Sequence, residues 1–320
     1  MHIEPTDEYM HENTGEGNFN ESMYFNFYDR ENRLGGFLRI GNRPNEQYAE
    51  TTIALYQPDG TGLFNYLRPS IPDNAAFSAG GMRFEVIEPF RHLRVTYDGP
   101  AVYLAHPLDL EDPKAAFTSN PHRPVSLTLD YYGLSPIYGG VLDTPSTDMV
   151  FAKGHYEQHV RATGSVTIDG RQTPVQALGL RDHSWGPRSW QSPQYYRWLT
   201  CEFDDGFGFM GSQIVTQGGS ELLSGFVFRN GENHFVNRLE LQTDWTPAGH
   251  YHDRLRVTLH SSVGDFEITG RVLTMLPLRN RRGGKVTRIS EGMTEWRCGE
   301  HVGYGLSEYL DQLADEPAGR

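Results

Sequence analysis

The stretch 179–190 combines two arginines, an aspartate, a histidine and two tryptophans. Histidine is the side chain that titrates nearest neutral pH, and arginine and tryptophan are frequent ligand anchors. In an extended conformation, Arg181, His183 and Trp185 share one face, while Asp182 points to the other. An imidazole beside an indole on one surface can donate a proton and then shelter the cation that forms. A buried salt-bridge corner, with the tryptophans filling the core, is the alternative interpretation.

Proton-initiated chemistry at a carbon–carbon bond needs an acid near the alkene or the leaving hydroxyl, a base, an aromatic wall and a water-poor pocket. His183 or Asp182 could be the acid, and Trp185 and Trp190 could form the wall. A desolvated cation over an indole face is stabilised by about 2 kcal/mol, which corresponds to about thirtyfold in rate. Several aromatic groups and a good acid are therefore required.

More aromatic surface follows at residues 195–198, which read Tyr-Tyr-Arg-Trp. A strand there places Tyr196 and Trp198 on one face and Tyr195 and Arg197 on the other. These side chains suit either a ligand pocket or the core of a barrel.

Two carboxylates in strand-like runs, Glu157 and Glu202, are expected to be buried. A carboxylate in such surroundings can exchange protons near neutral pH, and pairing with Arg181, Arg188 or Arg197 is the packing alternative. The predicted catalytic residues are His183, Asp182, Trp185 and Glu202. The predicted substrate-binding residues are Arg181, Arg188, Trp190, Tyr195, Tyr196, Trp198 and Glu157.

Histidine pairs occur twice at strand spacing, His155 with His159 and His250 with His252. Neither pair has a convincing third ligand nearby in sequence, so we expect no zinc or iron site. The chain also lacks a phosphate-binding loop, a dinucleotide fingerprint and the Gly-x-Ser-x-Gly motif of nucleophile-elbow hydrolases. We therefore expect no cofactor.

The formal net charge of −13 over 320 residues argues against binding to a nucleic-acid backbone or an anionic membrane surface. No apolar run approaches the ~18 residues that span a bilayer, and the acidic start of the chain lacks the order of a signal peptide. Two cysteines, Cys201 and Cys298, indicate free thiols in a reducing compartment. We expect a cytoplasmic monomer or homodimer that binds a hydrophobic small molecule.

Turn-forming pairs such as Asp-Gly and Asn-Gly recur between short runs of β-branched and aromatic residues. One such run, 254–260, alternates so that Leu255, Val257 and Leu259 lie on one face. No strand pattern alternates with a helical one. The sequence therefore predicts an all-β chain with two barrels or sandwiches in tandem.

Near the end of the chain, Leu306, Leu310 and Leu313 recur at helical spacing and predict a short C-terminal helix over 306–314. A domain boundary is expected near residue 178. The expected domains are 14–178 and 179–320. The first dozen residues and the last six are expected to be frayed ends.

Residues 179–188 resemble the signature of the AttH-like and carotenoid 1,2-hydratase-like family, whose members pair two lipocalin-like β-barrels. Further similarity lies in the runs 21–27, 39–45, 156–158, 164–170 and 303–309. The resemblance implies two lipocalin-like antiparallel barrels and hydration of isolated alkenes, while related lipocalin-like proteins catalyse pericyclic cyclisations. His183 and Trp185 match the His-x-Trp pair of the carotenoid hydratases. The downstream Tyr and Asp of those enzymes have no residue-by-residue match here, which argues against a carotenoid substrate.

The leading hypothesis is a cofactor-independent lyase or hydratase that acts on a hydrophobic terpenoid or aromatic small molecule in a barrel pocket. Arg181, His183, Tyr195 and Tyr196 offer hydrogen-bond donors that are costly to bury against a pure hydrocarbon. We therefore expect a substrate with at least one hydroxyl or phenol. A non-catalytic carrier of apolar small molecules and a pericyclic cyclase are the alternatives.

Overall fold

The computed structural model describes residues 3–141, 152–282 and 284–313. The chain divides into two compact units, Met1–Leu104 with Asn120–Ser189 and Ala105–Ser119 with Trp190–Arg320. Antiparallel strands dominate both units, which confirms the all-β prediction. Within the described ranges, no helix is long and apolar enough to cross a membrane.

The first unit is built on one large antiparallel sheet. Its strands are β1 (Phe19–Asp29), β2 (Leu34–Arg43), β3 (Tyr48–Tyr56), β4 (Gly62–Leu67), β5 (Ser78–Ala79), β6 (Met82–Glu88), β7 (His92–Leu104), β8 (His122–Gly133), β9 (Tyr138–Val141), β10 (Gly154–Ile168) and β11 (Arg171–Pro187). The order is β4-β3-β2-β1-β11-β10-β8-β7-β6-β5, and β9 pairs with β10. Because β4 also pairs with β7, the sheet closes on itself around an apolar core.

The second unit contains a closed barrel in which each strand pairs with its sequence neighbours and β12 pairs with β19. Its elements are the α-helix α1 (Pro113–Ser119) and the strands β12 (Pro193–Asp204), β13 (Phe207–Thr216), β14 (Glu221–Arg229), β15 (Glu232–Trp245), β16 (His252–Ser261), β17 (Gly264–Arg282), β18 (Lys285–Cys298) and β19 (His301–Leu313). Leu255, Val257 and Leu259 of β16 are buried in its core, as their alternation predicts.

The predicted C-terminal helix is wrong, because the chain there forms strand β19. Leu306 and Leu310 are four residues apart, which places them on one face of a helix and also on one face of a strand, since four is a multiple of the strand period. The chain forms a strand here because it pairs with β18 on one side and with β12 on the other. Residue 314 lies outside the described part of the chain.

The boundary expected near residue 178 falls inside β11, which pairs on its two sides with β1 and β10. The chain passes from one compact unit to the other between Ser189 and Trp190. The expectation of a frayed N-terminus is wrong, and the last six residues, which were also expected to be frayed, lie outside the described part of the chain. Residues 5–8 form a 3₁₀ turn, and Ile3 and Glu8 are buried. We call residues 3–12 the N-terminal segment.

Candidate functional site

Strand β11 separates its polar side chains onto two faces, as its alternation predicts. Arg181, His183 and Trp185 lie on the face that β11 shares with the apolar core of the first unit, because Arg181 pairs with Phe25 across β1. We call this the core face. Asp182 lies on the opposite, outer face, level with Glu157 of β10.

On the core face, Arg181 is completely buried and forms a bidentate ion pair with Glu8 of the N-terminal segment. Its terminal nitrogens donate to the two carboxylate oxygens at 2.6 and 2.9 Å, and its Nε donates to Gln158 at 3.0 Å. Burial opposes ionisation of Glu8, but the Arg181 guanidinium outweighs that effect and lowers the pKa of Glu8. The N-terminal segment is therefore tied to β11 by a buried pair of charges.

His183 is also fully buried, and both ring nitrogens have partners. Its Nδ1 lies 3.2 Å from the Tyr156 hydroxyl, and its Nε2 lies 3.1 Å from Glu21 Oε1. The Tyr156 hydroxyl donates to Glu8 at 2.7 Å. Burial raises the pKa of Tyr156 well above its ordinary value, so this group remains a phenol.

His11 covers this network from the N-terminal segment. Its ring stacks on the indole of Trp185 with 3.7 Å between centroids, and its Nδ1 lies 2.7 Å from Glu21 Oε1. The second Glu21 oxygen accepts from Asn74 at 2.6 Å. Burial would raise the pKa of Glu21, but the hydrogen bonds with His11 and His183 outweigh it and bring the pKa to about 2. The core face is thus a closed network of partnered polar groups.

The outer face presents a different arrangement around His155 of β10. The His155 side chain is 44% exposed, and its Nε2 lies 3.5 Å from Asp182 and 3.7 Å from buried Glu157. Burial would lower the pKa of His155, but the hydrogen bond with Asp182 and the charge of Glu157 outweigh it, so the pKa is raised. A solvent-accessible imidazole therefore lies beside two carboxylates.

Arg188 lies near the end of this face. It donates to the Ser184 hydroxyl at 3.0 Å and to the Ser22 hydroxyl at 3.4 Å. The two serine hydroxyls lie 3.1 Å from each other. Arg188 is therefore fixed in position by β1 and β11.

The other predicted site residues belong to the second unit. Tyr195 and Arg197 share one face of β12, and the Arg197 guanidinium lies 4.6 Å from the Tyr195 ring centroid. Tyr196, Trp198 and Glu202 lie on the other face and are buried. Trp190 precedes β12, and its carbonyl accepts from Gln312 at 2.8 Å. The Tyr196 hydroxyl donates to Glu308.

The structure therefore brings Arg181, His183 and Trp185 together on one face and Asp182 and Glu157 on the other. Sequence reasoning missed the core-face partners Glu8, His11, Glu21, Asn74 and Tyr156. Glu8, His11 and Asn74 lie outside the strands in segments far from β11 along the chain, whereas Glu21 and Tyr156 lie on β1 and β10, the strands that pair with it. It also considered His155 only as a metal ligand paired with His159.

Among the described residues, two groups have ligand atoms that all lie within 4.8 Å of one another and could share one metal ion. The first is His11, Glu21 and His183 on the core face, and the second is His155, Glu157 and Asp182 on the outer face. A single histidine with two carboxylates also suits proton transfer, whereas two histidines with one carboxylate form a set typical of transition-metal ligands.

The sequence profile of a family described as "Domain of unknown function (DUF7064)" matches residues 4–313. The chain belongs to the DUF7064 family. No curated protein sequence matches it significantly.

Solved structures that resemble this DUF7064 chain have a similar fold over nearly the whole length. Kievitone hydratase from Nectria haematococca has a TM-score of 0.62 at 12% identity, with 97% of this chain and 93% of that chain covered. CghA has a TM-score of 0.58 at 13% identity, with 94% of this chain and 90% of that chain covered. A protein assigned as AttH from Nitrosomonas europaea has 0.56 at 14%, with 92% of both chains covered. At these identities the likeness confirms the expected AttH-like and hydratase-like resemblance at the level of the fold.

Proposed function

We propose that this chain is a hydratase-like lyase that adds water to, or removes it from, a hydrophobic small molecule, with its proton-transfer group on the outer face of β10 and β11. The observation that carries the proposal is the contact of a partly exposed imidazole, His155, with Asp182 and Glu157. A general acid must reach its substrate, and its pKa must lie near the working pH. His155 is accessible, and its pKa is raised from 6.5, which favours the protonated form that a general acid needs.

The reaction uses one proton donor and one acceptor. Both carboxylates approach Nε2 of His155, so the Nδ1–H of the imidazolium is the donor available to a bound alkene. The alkene π electrons take this proton to form a C–H bond, which leaves a cation on the neighbouring carbon. Water bonds to that carbon, and its surplus proton passes to the vacant Nδ1 of His155, while Asp182 and Glu157 keep the hydrogen on Nε2. The sum is addition of one water, and dehydration is the reverse.

The polar residues around this group suit a substrate with a hydroxyl or phenol. Arg188 offers a guanidinium held by Ser184, a residue on the same face as Asp182, and burying a donor against pure hydrocarbon is costly. The fold shared with kievitone hydratase supports the reaction type. We assign Arg181 and His183 a positioning role, because both are buried away from solvent on the core face.

The test is turnover of a panel that contains kievitone, terpenols and other phenolic alkenes, followed by mass spectrometry in light and heavy water. The intact chain should convert at least one member with a gain of one water. Heavy water should place one deuterium on carbon, because the acid step forms a C–H bond. His155→Gln and Asp182→Asn should each lower turnover by about 10²–10⁴-fold.

His122→Gln is the matched control, because His122 is an exposed histidine of the same unit. Product without carbon-bound deuterium would instead identify a pericyclic cyclase. A co-purifying ligand with no conversion of any panel member would identify a carrier. Full activity of both outer-face variants would exclude the His155 group as the site.

A further inference from the structure

We propose that His11, Glu21 and His183 bind one divalent transition-metal ion of the zinc class, which fastens the N-terminal segment to β1 and β11. Each ligand comes from a different segment of the first unit: the N-terminal segment, β1 and β11. Their ligand atoms all lie within 4.8 Å of one another. This inference is independent of the proposed catalytic group on the outer face.

Hydrogen-bond geometry around His183 fixes which ring nitrogen a metal ion could bind. The Tyr156 hydroxyl has a single proton, and it donates that proton to the Glu8 carboxylate, which can only accept. The Tyr156 oxygen must then accept from His183, so Nδ1 of His183 carries a hydrogen. Its Nε2 faces Glu21 Oε1, which can only accept, so a metal ion between these two atoms would take the place of the hydrogen that their contact otherwise needs.

His11 presents the same situation from the other side. Its Nδ1 lies 2.7 Å from the same Glu21 oxygen, and its Nε2 lies 3.4 Å from Asp7 Oδ1. A ring whose Nδ1 binds a metal keeps its hydrogen on Nε2, where Asp7 can accept it. Two imidazole nitrogens and one carboxylate oxygen therefore converge. Without a metal, each nitrogen needs a hydrogen directed at the one oxygen, whereas a single divalent cation satisfies all three atoms.

The spacing suits a metal after small adjustments. Ligands about 2.0–2.2 Å from a tetrahedral zinc lie about 3.3 Å from each other. The two nitrogens lie 2.7 and 3.1 Å from Glu21 Oε1, so these two separations need to grow by only about 0.2–0.6 Å, and the two nitrogens lie within 4.8 Å of each other.

The atoms of the three ligands that would not contact the metal also have hydrogen-bond partners. Metal-bound histidines almost always donate their second ring N–H to an acceptor, which fixes the tautomer and ring orientation. Asp7 fills this role for His11, and the Tyr156 hydroxyl fills it for His183. Asn74 donates to the second oxygen of Glu21. Two imidazoles with one carboxylate favour zinc over magnesium or calcium, which prefer oxygen ligands.

The experiment is titration of chelator-treated, full-length protein with zinc chloride by calorimetry, followed by cobalt chloride with visible absorption. We expect one zinc ion per chain, release of the ion by chelator, and cobalt d–d bands typical of low coordination number. Magnesium chloride should give no heat. His11→Asn should weaken zinc binding by about 100-fold or more, and it is the preferred variant because this ring is at the edge of the cluster, 18% exposed.

His122→Asn is the matched control and should bind zinc as the unmodified chain does, because His122 is exposed and remote from the cluster in sequence. Asp7→Asn should weaken binding to a smaller degree, since it removes only the outer partner of His11. Absence of zinc binding to the unmodified chain would overturn the proposal. Binding that His11→Asn leaves unchanged would also overturn it, because the ion would then lie elsewhere.

Discussion

On the core face of β11, Arg181 and His183 are completely buried, whereas on the outer face Asp182 is partly exposed and its partner His155 is nearly half exposed. Both faces hold a cation beside a carboxylate. The core face satisfies its charges with hydrogen bonds to several segments, while the outer face leaves an imidazole accessible to solvent. One strand thus carries a set of charges that ties distant segments together and a set that, in the proposed function, exchanges protons with a ligand.

The largest expected difference between the faces is the effect of removing a cation. Arg181→Met leaves the Glu8 carboxylate buried without its partner, and breaking a buried ion pair in this way costs about 3–5 kcal/mol. Urea unfolding in the presence of chelator measures the loss. Arg171→Met is the control on the same strand, because Arg171 is exposed, and it should change stability by about 0.5 kcal/mol or less. Equal effects of the two substitutions would contradict the structural role of the core face.

A second test removes one hydroxyl from the core face. Tyr156→Phe leaves His183 Nδ1 without its acceptor and takes a donor from Glu8, so it should lower the free energy of unfolding by about 1–3 kcal/mol. The comparison is Tyr132→Phe, since the Tyr132 side chain is 40% exposed. A Tyr156→Phe protein as stable as the unmodified chain would show that the hydroxyl bridge contributes nothing.

Lowering the pH should reduce the stability that the core face contributes through Glu8. The pKa of Glu8 is lower in the folded state than its ordinary value of 4.5, so its contribution to stability is present above pH 4.5 and is lost as the pH falls through the folded value. The loss amounts to at most about 1.4 kcal/mol per pH unit. Unfolding of the unmodified chain and of the Glu8→Leu, Arg181→Met double variant should be compared across this range. The double variant should show the flatter pH dependence, and parallel curves would refute the assignment to Glu8.

The smallest expected effect on stability is that of His155 on the outer face. Its contribution is lost as the pH rises, whereas that of Glu8 is lost as the pH falls. The pKa of His155 is raised in the folded state, so its contribution is fully present below 6.5 and disappears as the pH rises through the folded value. Solvent screens this half-exposed group, so the contribution is about 0.5 kcal/mol or less. Proton NMR titration of the His155 ring, with His155→Gln for assignment, should show a midpoint above 6.5. A midpoint below it would contradict the pairing with Asp182.

Strand periodicity alone correctly predicted that Arg181, His183 and Trp185 share a face opposite Asp182. The alternation of Leu255, Val257 and Leu259 likewise predicted a strand with one buried side. Both are local properties, so a single sequence contains enough information to determine them.

The partners of the core face could not be predicted in the same way. Glu8 is separated from Arg181 by 173 positions, and an acidic, polar N-terminus resembles a frayed end in composition. The spacing of Leu306 and Leu310 fits a helix and a strand equally, so the mispredicted helix reflects an ambiguity that only the pairing of β19 with its neighbours removes. Which of the predicted site residues take part in catalysis remains a prediction.

The pairing of β1 with β11 has a consequence for how the first unit forms during synthesis. Phe19 lies opposite Pro187, so one edge of β1 has no partner until nearly the whole unit has left the ribosome. Contacts between such distant segments slow folding, because a long loop must close before the contact stabilises anything. Meanwhile an apolar strand edge is exposed to other chains. The N-terminal segment is made first, but its partner Arg181 lies on β11, the last strand of the first unit, which makes the docking of this segment a late step.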